Sequence, residues 1–261
     1  MDNLKDINIP PVPESVRGKL CGDFVTEDIG RSGDWVLMFR DRVLKISPAG
    51  RGLAREERAM RFLCGKLRVP DVIAFETDGQ NDFLLMSRLE GQMACNTSLS
   101  QEKTAVLLAH AIKEISAVDI SECFLPDAEE ADLAAAKENI QNGKVQDSEL
   151  FGFPDAQSLY MWLCGHKPAP EVFSHGDFCL PNVFINDGKC GFIDLGGAGV
   201  AGKWRDISMC LWSMRYNFCA EDMAVFESAE MKNYEYGFFE ELGLAPDEEK
   251  INYYLLLGKL F

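Results

Sequence analysis

Ser174-His175-Gly176-Asp177, then Asn182, then Phe192-Ile193-Asp194-Leu195-Gly196 place a carboxylate, an amide and a second carboxylate in one short stretch. The spacing is His-Gly-Asp-x4-Asn-x11-Asp-x-Gly. Phosphoryl transfer uses this order: one Asp orients the acceptor hydroxyl, and the Asn and second Asp hold Mg²⁺ on the nucleotide phosphates. Asp177 is therefore expected to accept or orient the hydroxyl proton. The transition state is loose, so positioning matters more than base strength, and general-base assistance is worth about 10² to 10⁴ in rate. Asn182 and Asp194 are the expected metal ligands, because Mg²⁺ takes hard oxygen donors, usually one or two from protein. The turn Asn186-Asp187-Gly188 between them lets both ligands face one ion. His175 is expected to fix the loop by hydrogen bonding rather than to do chemistry.

A second constellation lies in the first third of the chain. Lys45 interrupts the apolar run Val43-Leu44-Lys45-Ile46, and a lysine in such a place must reach a partner or an anion. A nucleotide phosphate is the functional anion. Glu56 and Glu57 both qualify as its protein partner; Glu56 is preferred because it shares a helical face with Ala59 and Leu63. Gly30-Arg31-Ser32-Gly33 is a flexible turn able to offer backbone N–H groups to phosphates. Asp206, just before an apolar helix, is expected to cap it or to brace the catalytic loop.

The elements that must carry these residues change character along the chain. Trp35–Phe39 and Val43–Ile46 read as strands joined by Arg40-Asp41-Arg42. Ala54 to Leu67 reads as a helix, and Val72–Phe75 and Phe83–Met86 as two more strands around the turn chemistry of Asp78-Gly79-Gln80-Asn81-Asp82. From Leu89 onward helices dominate: Gln101–Ala117, Leu159–Cys164, Ile207–Tyr216, Met223–Leu242 and Glu248–Leu260, with short strands near Val183–Ile185 and Gly191–Ile193. The expected architecture is a bilobal α+β enzyme: a sheet-rich nucleotide-binding lobe over 1–88, a helical lobe over 89–261 carrying the catalytic loop and acceptor site, and the active site in the cleft between them.

Composition narrows the partners. The chain has 261 residues and a formal net charge of −16, which argues against nucleic acid or an anionic membrane surface and favours a cationic small molecule. Nine cysteines, an odd number without a Cys-x-x-Cys, argue against a disulfide framework or zinc site and for a reducing compartment. Met1 to Asp6 lacks a basic segment followed by an apolar one, so no signal peptide and a cytoplasmic location are expected. Monomer and dimer are both compatible with the sequence.

Further residues extend the pattern beyond the catalytic motif: Asn182-Val183-Phe184, Lys203-Trp204 with Asp206-Ile207, Tyr253-Tyr254-Leu255-Leu256-Leu257 with Leu260-Phe261, Gly65-Lys66-Leu67 with Val69-Pro70, and Leu84-Leu85-Met86-Ser87 with Gly91. Together these resemble the aminoglycoside phosphotransferases, above all the 3′-type enzymes, over nearly the whole chain. The resemblance implies a protein-kinase-like fold, ATP or GTP as donor, Mg²⁺ as cofactor and a hydroxyl of an aminoglycoside as acceptor, so that the antibiotic is inactivated. It also implies Asp177 as the catalytic residue, Asn182 and Asp194 as metal ligands, Lys45 and Glu56 as the phosphate-positioning pair, Ser32 in the nucleotide loop, and the backbone of Ser87 and Leu89 at the adenine edge. Asp147, Glu149 and the carboxylate of Phe261 are the candidates for holding a cationic acceptor. Five positions depart from the family pattern: Gly197 stands where Arg is usual, Gly202 and Gly258 where Asp is usual, Lys259 where an acid is usual, and Val43 where several relatives place an aromatic. A kinase of another small alcohol (a macrolide, choline or a sugar) and a nucleotide-binding pseudokinase are the alternative readings.

Overall fold

The computed structural model describes residues 9–27, 34–145, 152–218 and 228–261. Its internal packing divides the chain into two units, one of residues 1–91 with 191–197, the other of residues 92–190 with 198–261.

The first unit is built on strands β1 (Val25–Glu27), β2 (Trp35–Met38), β3 (Arg42–Pro48), β4 (Val72–Thr77) and β5 (Asn81–Ser87). They form one antiparallel sheet in the order β1-β2-β3-β5-β4. Side chains alternate across a strand, so Leu44 and Ile46 of β3 and Phe83 and Leu85 of β5 share one face. There they pack with Val16, Leu20, Leu37, Phe39 and Ala74 into a buried cluster. Val16 comes from the short helix α1 (Glu14–Arg17), which lies by β4. The same alternation sends Lys45 to the opposite face, opposite Val36 on β2 and Leu84 on β5. Helix α2 (Leu53–Leu63) follows, and it packs on β3, β4 and β5 with Ala59, Met60, Phe62 and Leu63 buried. Each large aliphatic side chain buried this way contributes about 1.5–3 kcal/mol.

The second unit contains helices α3 (Gln101–Ser116), α4 (Ala128–Gln141), α5 (Ala156–Gly165), α6 (Trp204–Phe218), α7 (Ala229–Leu242) and α8 (Glu248–Leu257). Five of the starts have a side chain accepting from a free first-turn N–H: Ser100, Asp127, Asp155, Ser228 and Asp247 cap α3, α4, α5, α7 and α8. α3 packs on α6 and α7, α6 on α8, and α4 on α5 and α8. Strand β7 (Val172–Ser174) pairs antiparallel with β10 (Gly199–Ala201), and β6 (Gln92–Met93) pairs with β8 (Val183–Asn186). β9 (Lys189–Phe192) leaves the turn Asn186-Asp187-Gly188, where Asp187 and Gly188 take positive φ of 49° and 73°. The chain then runs into the 191–197 segment of the first unit. Among the described residues, no helix is long and apolar enough to cross a membrane.

Candidate active site

The catalytic-motif residues lie where β7 ends. Ser174 and His175 are buried, and Gly176 turns the chain with φ of 88° before Asp177. Three bonds close the loop after it: Cys179 N–H donates to Asp177 O (2.8 Å), Asn182 N–H to Cys179 O (2.9 Å) and Leu180 N–H to Ser213 Oγ of α6 (2.9 Å). The Asn182 side chain then folds back. Its Nδ2 donates to Asp177 O (3.0 Å) and to Asp177 Oδ2 (2.9 Å). An amide has one donor end and one acceptor end, so an Asn that holds Asp177 by its nitrogen turns its oxygen the other way.

The loop hangs on one buried carboxylate. Asp206, on the first turn of α6, accepts at Oδ1 from Ser174 Oγ (2.8 Å) and Gly176 N–H (3.1 Å), and at Oδ2 from His175 N–H (2.8 Å). Of the two structural roles expected for Asp206, bracing the loop is the one these contacts describe. Arg205 beside it donates to Gly176 O (3.2 Å) and pairs with Asp132 of α4 at 2.8 Å. His175 Nδ1 accepts from Asp177 N–H (3.3 Å) and its ring packs edge-on to Phe178, so it shapes the loop rather than facing a reactant.

The other set assembles within the first unit. Lys45 Nζ donates to Glu56 Oε1 at 2.8 Å and pairs with Asp194 Oδ1. Lys45 and Glu56 are both buried. Burial opposes the Lys45 charge, but the carboxylates of Glu56 and Asp194 more than offset it and hold its pKa above the usual lysine value. Burial likewise pushes the Glu56 carboxyl up, against the pull of Lys45. Asp194 takes φ of 59°, in the left-handed region that Asp tolerates better than bulkier residues. Its carboxylate is half exposed, and Lys45 occupies one oxygen. The segment carrying it docks by Phe192 N–H to Arg68 O (2.9 Å). Gly191 is required there, since a Cβ would lie 2.9 Å from Arg68 O and from a Leu89 methyl.

The structure thus brings Lys45, Glu56 and Asp194 together, and separately Asp177 and Asn182. Ser87 N–H donates to Asp71 O (2.9 Å). Phe261 is exposed, next to the buried Leu260, whose carbonyl accepts from Asn139 Nδ2 (3.0 Å). Ser32, Asp147 and Glu149 lie outside the described residues. Gly202 has a local explanation. Its N–H donates to the buried Glu129 Oε1 (2.9 Å), which also accepts from Tyr254 Oη (2.8 Å), and a Cβ on Gly202 would stand 2.6 Å from that hydroxyl. Burial pushes both the Glu129 carboxyl and the Tyr254 phenol up. The sequence reading missed Glu129, since a glutamate in an alanine-rich stretch gives no sign that it is buried.

The model of the phosphotransferase enzyme family matches residues 28–242. The chain belongs to the phosphotransferase enzyme family. Its similarity to the aminoglycoside 3′-phosphotransferase of Enterococcus faecalis is 38% identity over 218 residues, 79% of this chain and 78% of that protein. With the aminoglycoside 3′-phosphotransferase of Niallia circulans it shares 33% over 254 residues, 92% of this chain and 93% of that one. Among solved structures, an aminoglycoside phosphotransferase of Streptomyces rimosus superposes with a TM-score of 0.73 at 23% identity, over 91% of this chain and 92% of that one. A 3′-phosphotransferase of type VIII gives 0.73 at 24%, over 95% and 97%. The fold is the protein-kinase-like α+β fold of this phosphotransferase family, and the chain is a phosphotransferase.

Proposed function

We propose that this phosphotransferase moves the γ-phosphoryl of ATP, with Mg²⁺, onto a 3′-type hydroxyl of an aminoglycoside and so inactivates the antibiotic. The observation that carries the reading is the Asn182 amide. Its nitrogen fixes the Asp177 carboxylate, and its oxygen is left for a hard cation. Relatives named aminoglycoside 3′-phosphotransferases at 33–38% identity support the acceptor class. The net charge of −16 suits a polycationic acceptor, since a charge of that sign raises its local concentration and on-rate.

Asp177 would accept a hydrogen bond from the attacking hydroxyl and take its proton as the P–O bond forms. Lys45, kept charged by Glu56 and Asp194, would hold the nucleotide phosphates. Asn182 Oδ1 and the Asp194 oxygen not used by Lys45 would be the donors offered to Mg²⁺, a hard ion content with one or two protein oxygens. When bound, the ion would neutralise charge on the transferring phosphoryl group. The adenine would meet the Ser87 carbonyl and the Leu89 backbone.

The test is Mg²⁺- and ATP-dependent phosphate transfer to kanamycin, neomycin, gentamicin, a macrolide and choline, with Asp177→Asn in parallel. Transfer to kanamycin or neomycin, lost by about 10² to 10⁴ in kcat in Asp177→Asn, is the expected result. Transfer only to the macrolide or choline would refute the acceptor class, and full activity in Asp177→Asn would refute the mechanism.

A further inference from the structure

Asp177 is gripped on both sides. Asn182 Nδ2 holds Oδ2 at 2.9 Å, and the thiol of Cys179 donates to Oδ1 at 3.0 Å. We propose that Cys179 is a positioning residue for the transfer reaction, its thiol fixing Oδ1 of Asp177 while Asn182 fixes Oδ2. The inference rests on the reading of Asp177 as the group that receives the hydroxyl proton.

Three features support it. The backbone of Cys179 is itself clamped, donating to Asp177 O and accepting from Asn182 N–H, which fixes the point from which the thiol reaches Asp177. The side chain is half-buried, and burial, followed by the negative charge of Asp177, pushes its pKa far up. The sulfur therefore keeps its proton at neutral pH and remains a donor. A thiol is also a weak donor, so it orients the carboxylate without quenching its ability to accept a proton. An ionised carboxylate offers about four lone-pair sites. Two donors leave room for the acceptor hydroxyl. The same protonation makes Cys179 a poor nucleophile, unlike a reactive cysteine in an electropositive setting.

Two measurements on the full chain test this. In the first, Cys179→Ala and Cys179→Ser are compared with wild type in Mg·ATP-dependent transfer to kanamycin. Cys179→Ala should lose about 3- to 10-fold in kcat, the worth of one modest hydrogen bond, with KM for ATP unchanged. Cys179→Ser, which restores a donor, should recover most of the loss. Wild-type kcat in Cys179→Ala, or an equal loss in Cys179→Ser, overturns the proposal. In the second, iodoacetamide labelling of Cys179 is followed by peptide mass spectrometry in wild type and Asp177→Asn. Removing the adjacent anion should ease ionisation of the thiol and speed its labelling several-fold. An unchanged rate overturns the contact itself. A wild type that phosphorylates no aminoglycoside refutes the proposed acceptor, while the labelling result still decides whether Cys179 engages Asp177.

Discussion

Replacing Asp206 by Asn tests whether one buried carboxylate holds the Ser174–Asp177 loop. Asp206 has two oxygens and three donors, namely Ser174 Oγ and Gly176 N–H on Oδ1 and His175 N–H on Oδ2. Asn has the same shape but only one oxygen. Whichever way the amide turns, its NH₂ faces a donor in a site where Ser174, His175 and Asp206 are all buried. A hydrogen bond to a charged acceptor is worth about 1.5–3 kcal/mol, and a buried donor left unmet costs about 1–3 kcal/mol. The expected destabilisation is about 2–4 kcal/mol. For a chain of this size that is on the order of 5–10 °C in Tm. Asp177 follows directly on these donors, so kcat should fall together with stability, whereas KM for ATP should stay within about twofold, because Lys45 and Glu56 are untouched. The assay is thermal unfolding beside steady-state kinetics at a temperature where the variant remains folded. Asp206→Asn with wild-type Tm and wild-type kcat would refute the reasoning.

Glu56→Ala leaves Lys45 with Asp194 as its remaining carboxylate partner. It should lower kcat/KM for ATP at least about 10-fold, the value of one charge-assisted bond, and unchanged kinetics would remove Glu56 from the phosphate-positioning pair. Gly202→Asp, which installs the residue usual in the family, drives a Cβ onto the Tyr254 hydroxyl and Pro168, so it should destabilise by about 1–3 kcal/mol in chemical denaturation; an equally stable variant would mean that the wall around Glu129 yields. Asp127 caps α4 through Glu130 N–H and pairs with Lys167 at 2.8 Å. Burial works against its charge, but Lys167 and the helix N–H groups more than offset this and lower its pKa. Its stabilisation is thus present above the unfolded pKa of about 3.9 and fades as pH falls through the lower folded value. Asp127→Ala should cost about 1–2 kcal/mol at pH 7, and the gap to wild type should narrow as pH falls below about 3.9; a gap that does not change with pH would contradict the charge-based account.

Much of this was legible because the residues carried their own periodicity. Lys45 inside the apolar run Val43–Ile46 announced a strand carrying one charge that needs a partner, and Glu56 on the next helix is that partner. α3 lies at Gln101–Ser116 against an expected Gln101–Ala117, because Ser100 caps a regular apolar stripe. Where the pattern was weak the reading failed. α4 was not anticipated: its alanines are nearly neutral on a hydrophobic scale, and a wholly buried Glu129 breaks the rule that charge faces water. β7 and β10 are three residues each, too short to show alternation, and they pair across a gap in sequence that no local signal bridges. Cysteines read as small apolar residues concealed a difference in placement. Cys190 and Cys210 are buried, Cys21, Cys64 and Cys164 are exposed, and Cys179 touches the Asp177 carboxylate. Sequence spacing located Asp177 and Asn182, but only coordinates show which atom of each meets the other.

The seven residues from Gly191 to Gly197 belong with the first unit although they follow most of the second in sequence. The turn at Leu195–Gly197 packs against α2, and Asp194 supplies the second carboxylate on Lys45. During synthesis on the ribosome the first unit is therefore incomplete when its own strands and α2 have emerged. Until residue 197 clears the exit tunnel, Lys45 has Glu56 but not Asp194, and one side of α2 is without its cover. A fragment ending at Gly91 would be stranded in that state. A library of split or truncated genes should accordingly show no functional break-point after β5, even though the sheet itself ends there.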